Sequence, residues 1–131
     1  MSKWACGELV GTPFKEFGRG PDFLDCWGGL ISTGKYYGVA IPDYGSIFEE
    51  HAQGEKVVAH RGEWTEVADP RPGDVIEFKP IDGEAHFGMV VEDAHFAHVT
   101  RVLGYVIMPL HHSIYSQLIK GYYRWIPQDR K

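Results

Sequence analysis

Alternation of apolar and polar positions is clearest in the second half of the chain. Val75-Ile76-Glu77-Phe78 reads as a strand launched from the rigid turn Pro70-Arg71-Pro72-Gly73-Asp74. Pro80-Ile81-Asp82-Gly83 turns the chain again. Two more strands follow, Ala85 to Val91 and His95 to Val99, joined around Glu92-Asp93. Residues 102–109 form a further strand ended by Pro109, and Gly121 to Ile126 form the last one. The first half has a different rhythm. Trp4, Ala5, Leu9 and Val10 make one side of a short helix over 3–10, stopped by Gly11 and Pro13. From Thr12 to Leu24 the glycines and Pro21 predict a loop. Leu30, Ile31, Tyr36 and Tyr37 predict a buried helix from Cys26 to Tyr37, closed by Gly38. Residues 46–69 carry the weakest pattern, with a short helix at Ile47–Ala52 and a strand at Lys56–Ala59. Early helices followed by antiparallel strands give an α+β order, with about five strands, in a single domain over 1–131.

Composition narrows the function classes. The chain has 131 residues, 44% hydrophobic, 24% charged and a net charge of −5, so it buries a core and lacks the basic face a nucleic-acid partner requires. No apolar run reaches membrane-spanning length. Gly7 and Glu8 interrupt any secretory core, so no signal peptide is expected. Two cysteines, Cys6 and Cys26, are too few for a disulfide scaffold, although a bridge between them would remove a reactive thiol.

The stretch around Cys26 carries the chemistry. Asp25 is a good N-cap, so Cys26 becomes the first helical residue, where free N–H groups and the helix dipole favour negative charge. The thiol pKa is therefore expected below its free value of about 8.5. The bland alternative is a small buried residue, as most free cysteines are. Gly28 and Gly29 each weaken the helix by about 1 kcal/mol relative to alanine, which is tolerated where a side chain would strike a neighbour. Lys15 and Arg19 precede the cysteine, as substrate contacts or as solvated charges.

A cysteine nucleophile needs an imidazole base and a group to orient it. Alternate strand residues share a face, so His86 and His98 become neighbours if the hairpin loop has an odd number of residues. Gly88 beside His86 leaves room for a facing helix. Cys26, His86 and His98 are thus the candidate catalytic set, with half-buried sheet histidines as the alternative. Zinc ligation by the same three lacks a second ligand pair, and no metal or cofactor is expected. His111-His112 point apart on a strand and read as surface, as do His51 and His60.

Several ordered pieces carry a resemblance. They are Val10 to Phe14, Gly18 to Gly28 with Asp25-Cys26-Trp27-Gly28 inside, Gly38 to Pro42, Arg71 to Val75, His86 to Val90, and Phe96-Ala97-His98. Together they resemble the NlpC-type branch of papain-like cysteine peptidases, bacterial and phage cell-wall endopeptidases, over nearly the whole chain. The resemblance implies a papain-like fold with a helix-head cysteine packed on an antiparallel sheet. It implies a Cys26–His86–His98 triad and an oxyanion site at Asp25–Cys26. The implied substrate is a peptidoglycan stem peptide cut at its γ-D-glutamyl–diaminopimelate bond. Trp27 and the Gly121-Tyr122-Tyr123-Arg124 ending look most similar to phage-tail members, which implies action at the cell wall or in a virion tail. Other tail proteins are then candidate partners, and a tail structural protein with a vestigial site is the alternative. Three residues depart from the family pattern. Gly29 stands for a leucine, Phe14 for a tyrosine that reaches the cysteine, and Trp27 for a serine facing the stem peptide. Phe14, Arg19 and Trp27 are the candidate substrate contacts.

Overall fold

The computed structural model describes residues 3–43, 63–81 and 83–126. Six strands form one antiparallel sheet: β1 (Trp64–Val67), β2 (Val75–Ile81), β3 (Glu84–Val91), β4 (His95–Thr100), β5 (Gly104–Pro109) and β6 (Ile119–Trp125), in the order β1-β6-β2-β3-β4-β5. The single α-helix among the described residues, α1 (Cys26–Gly34), lies on one face. On that side Trp27 and Leu30 pack with Val75, Phe87 and Met89. Leu24, Val91, Ala97, Val99 and Tyr105 extend the same layer. The opposite face buries Ile76, Phe78, Val90 and Phe96 beneath Tyr115, Leu118 and Tyr122. The sheet is therefore covered on both sides, which explains the nearly continuous burial of Phe87 to Val91.

The strands follow the expected pattern closely, with differences at their ends. β2 runs on through Pro80 to Ile81, because pairing with β6 has already ended at Phe78↔Ile119. A missing N–H there costs no rung with β6. β1 was not anticipated, and it adds a sixth strand through Trp64↔Trp125 to Val67↔Tyr122. The turn before β2 is fastened by Arg124 of β6, whose Nε and Nη2 reach the two oxygens of buried Asp74 at 2.8 and 2.7 Å. The helix and strand expected at 47–52 and 56–59 lie outside the described residues.

The N-terminal helix over 3–10 does not form. Its place is taken by a 3-10 turn at Gly7–Leu9, with short-range bonds such as Leu9 N–H to Cys6 O at 3.0 Å. Gly7 sits inside the segment and no side chain caps it. The chain instead clips onto β5 through Gly11 N–H to Tyr105 O and Tyr105 N–H to Thr12 O, both 2.9 Å. The second expected helix divides into α1 and a 3-10 turn at Lys35–Tyr37, closed by Gly38 at φ 73°.

Both weak helix residues have a steric reason. A Cβ on Gly28 would lie 2.1 Å from the Gly18 carbonyl oxygen, and one on Gly29 would lie 2.6 Å from a Val99 methyl of β4. The head of α1 is thus pressed between the preceding loop and the sheet. Alanine at either position should destabilise the protein by about 1–3 kcal/mol in denaturant unfolding, overriding its better helix propensity. Gly28→Ala should be the worse, because it meets backbone. A gain in stability from either variant would contradict this packing.

Candidate active site

The site begins with the loop that delivers the helix. Leu24 donates its N–H to Pro13 O and accepts from Lys15 N–H, which sets Phe14 beside the helix start. Asp25 follows in extended backbone and caps α1, its Oδ1 accepting from Gly28 N–H at 2.7 Å. The same oxygen accepts from Arg19 Nη1 at 2.7 Å. Arg19 also forks onto Asp43 at 2.9 and 3.0 Å, so it braces the loop and is not a free surface charge.

Cys26 is a free thiol, only 4% exposed. The β3–β4 ladder runs from Val91↔His95 to Met89↔Ala97, and the next hydrogen-bonded rung would set Phe87 opposite Val99. In an antiparallel pair such a residue exchanges both its N–H and C=O with one partner. Phe87 gives both to sulfur instead. Its N–H donates to Cys26 Sγ at 3.3 Å, and the thiol S–H donates to its carbonyl at 3.7 Å. The helix head thus fills the place where β3 and β4 part.

The three-residue turn Glu92-Asp93-Ala94 meets the odd-number condition, with Val91 paired to His95. His86 Nε2 and His98 Nδ1 are 2.7 Å apart. The other nitrogen of His98, Nε2, lies 3.4 Å from Met108 Sδ on β5. Aromatic rings line this side: Phe78 stands 5.2 Å from His86, and Tyr115 4.8 Å from His98. The expectation that Gly88 makes room for the helix does not hold. Its missing side chain faces Phe96, Phe78 and Ala97 O on the histidine side, where a Cβ would lie 3.0–3.3 Å away. The glycine that admits the helix is Gly29.

A cavity of about 250 Å³ opens on Cys26 and His86 together. Phe14, Ala85, Ile81 and Val99 give it apolar walls. Arg101 and Glu84, paired at 3.1 Å, supply opposite charges, and the Arg101 guanidinium lies 4.8 Å over the Phe14 ring. Of the three expected substrate contacts only Phe14 lines the cavity. Trp27 is a core residue, 0% exposed, its ring edge-on to Phe87 and its Nε1 donating to Pro42 O at 2.7 Å. Sequence reasoning missed Tyr115, Glu84 and Arg101. They come from loop and strand ends with no periodic signal, and only the return of the 110–118 segment sets Tyr115 on the histidines. His112 is not merely surface, since its Nδ1 accepts from the N–H groups of Ile114 and Tyr115 and shapes that return.

Charge behaviour also departs from expectation. Burial pushes the Cys26 thiol up to about 12, with the cap carboxylate Asp25 and then Glu84 adding to the rise against the lowering hydrogen bond from Phe87. Desolvation outweighs the helix head, and the cap that builds the helix opposes a thiolate beside it. Burial lowers His86 to about 4 and His98 to about 3, the latter helped by neighbouring His86 and His112. At neutral pH the three groups are uncharged. Unfolded imidazoles titrate near 6.5, so below that pH the unfolded chain binds protons the folded chain refuses. Stability from the pair is fully present above 6.5 and is lost as pH falls toward about 4 and about 3. The thermal unfolding midpoint should therefore fall as pH drops from 6.5 to about 4, and His98→Asn should flatten that slope. An unchanged slope in the variant would contradict a buried neutral pair.

A family model described as the NlpC/P60 family matches residues 11–124. No curated protein matches the chain. Among solved structures, it is similar to an NLP/P60 family protein, similar to lipoprotein, from Staphylococcus aureus, with 21% identity and a TM-score of 0.64 over 95% of this chain and 40% of that one. NlpC2 from Trichomonas vaginalis gives 21% and 0.63 over 92% and 45%. The NlpC/p60 domain of the peptidoglycan hydrolase SagA gives 15% and 0.56 over 90% and 91%. The chain spans less than half of the first two proteins, and at these identities the likeness is one of fold.

Proposed function

The chain belongs to the NlpC/P60 family, and from that premise we propose that it is a cysteine peptidase or amidase acting on peptidoglycan stem peptides. The observation that carries this reading is the shared cavity: Cys26 and His86 line it together, and His86 is held by His98. The description of SagA as a peptidoglycan hydrolase supports the substrate class. The γ-D-glutamyl–diaminopimelate amide is the bond that the resemblance implies. In this reading Cys26 is the nucleophile, His86 the acid–base group and His98 its positioning residue.

The resting site starts neutral. Because the thiol is desolvated and bonded to Phe87, attack proceeds with proton transfer to His86 as the new bond forms, without a standing thiolate–imidazolium pair. Sulfur bonds to the amide carbonyl carbon, the thiol proton passes to His86 Nδ1, and the carbonyl electrons move onto oxygen. The oxyanion lies against the Cys26 N–H at the helix head, a donor with no intrahelical partner. The C–N bond then breaks as His86 gives its proton to the leaving amine. Water adds to the thioester, its proton taken by His86, and the C–S bond breaks to return the thiol. Phe14 forms an apolar wall beside the reacting carbon, and Arg101 and Glu84 meet charged groups of the peptide.

Cys26→Ala should abolish cleavage of purified muropeptides while keeping the wild-type unfolding transition. His86→Ala should lower the rate by about 10²–10⁴-fold. Retained cleavage by Cys26→Ala would remove Cys26 as nucleophile. A wild-type protein that leaves every muropeptide intact would turn the reading to a tail component without catalysis.

A further inference from the structure

Beneath the histidine pair lies a group that has lone pairs and no proton to give. We propose that the Met108 thioether is a positioning residue that fixes the tautomer of both histidines and so leaves His86 Nδ1 bare toward the cavity. This deepens the reading of His86 as the proton acceptor and rests on it. A thioether sulfur accepts hydrogen bonds and donates none. His98 Nε2 lies 3.4 Å from Met108 Sδ, and this sulfur is its only hydrogen-bonding neighbour among the described residues. The contact is satisfied only if His98 carries its proton on Nε2. A neutral imidazole holds one N–H, so His98 Nδ1 is then an acceptor. His86 Nε2, 2.7 Å away, must donate to it. The single proton of His86 is thereby spent on Nε2, and its Nδ1 keeps a lone pair.

The opposite tautomer would fail in two places. His98 Nε2 would set a lone pair against the sulfur lone pairs, and His86 Nδ1 would carry an N–H and offer no lone pair to the cavity it shares with Cys26. A wrong tautomer in a nucleophile–imidazole–orienter set disables proton abstraction while leaving the geometry intact. The arrangement is held by the sheet, since His98 and Met108 sit diagonally on one face of β4 and β5, beside the paired positions Phe96↔Met108 and His98↔Val106. Tyr115 packs edge-on against His98 at 4.8 Å, and it and Met108 border the same apolar cluster.

The test reads the protons directly. In the full-length chain with ¹⁵N-labelled histidine at neutral pH, long-range proton–nitrogen correlation should show His98 and His86 both protonated on Nε2. Met108→Leu conserves volume and removes the acceptor. It should give a mixture of tautomers and a several-fold loss in kcat on muropeptides, with KM unchanged. Met108→Gln, whose side-chain oxygen can accept, should restore both the single tautomer and kcat. A His98 proton on Nδ1 in the wild type would overturn the proposal. So would a Met108→Leu variant that keeps the single Nε2–H form. The spectra decide this point even if Cys26→Ala still cuts, which would count only against the catalytic reading.

Discussion

One contact organises this molecule: a helix-head sulfur takes both hydrogen-bonding groups of Phe87 at the place where β3 leaves β4. Everything near it serves that approach. Gly29 lets the helix lie on Val99, and Gly28 lets the Gly18 carbonyl reach the first turn. Arg19 ties the loop to the cap through Asp25 and Asp43. The helix dipole contributes at most a modest favourable field for a thiolate, typically under ~1 kcal/mol near a surface. Removing sulfur from water costs far more, and the cap carboxylate adds repulsion. Desolvation therefore wins, and the thiol rests protonated.

The same packing gives the two sides of the sheet separate tasks. The helix face holds the Cys26 thiol among Trp27, Phe87 and Met89, while the other face holds the imidazoles among Phe78, Phe96 and Tyr115. Only where β3 parts from β4 do the two meet, in a shared cavity. Such a division keeps the imidazoles neutral and rigid. The thiol and both imidazoles are thus uncharged at neutral pH, while Arg101 and Glu84 place an ion pair on the same cavity wall.

How much of this was legible in the sequence depends on the range of the interaction involved. The Asp25 cap, the helix beginning at Cys26 and the Gly38 stop are local signals, and they appear where the residues put them. His86 and His98 could be paired from strand alternation and loop parity, since both depend only on counting residues along one hairpin. The residues expected to touch substrate depend on longer-range packing. Trp27 follows the cysteine directly, yet the helix turns its ring into the core and Pro42 takes its N–H. Arg19 looked like a free cation until the loop folded it onto two carboxylates. The thiol's acidity was misjudged because helix position is visible in a sequence and burial against a distant strand is not. Tyr115, Arg101 and Met108 depend on strand order, which no local pattern encodes.

The central claim is that the Cys26 sulfur rests neutral against the Phe87 backbone. Its most direct test is a thiolate absorbance titration of the wild type against Cys26→Ser, in which Cys6 and the tyrosines are common to both. The difference signal should be absent at neutral pH and should rise only well above 9, toward about 12. A thiolate already formed below pH 7 would contradict the account.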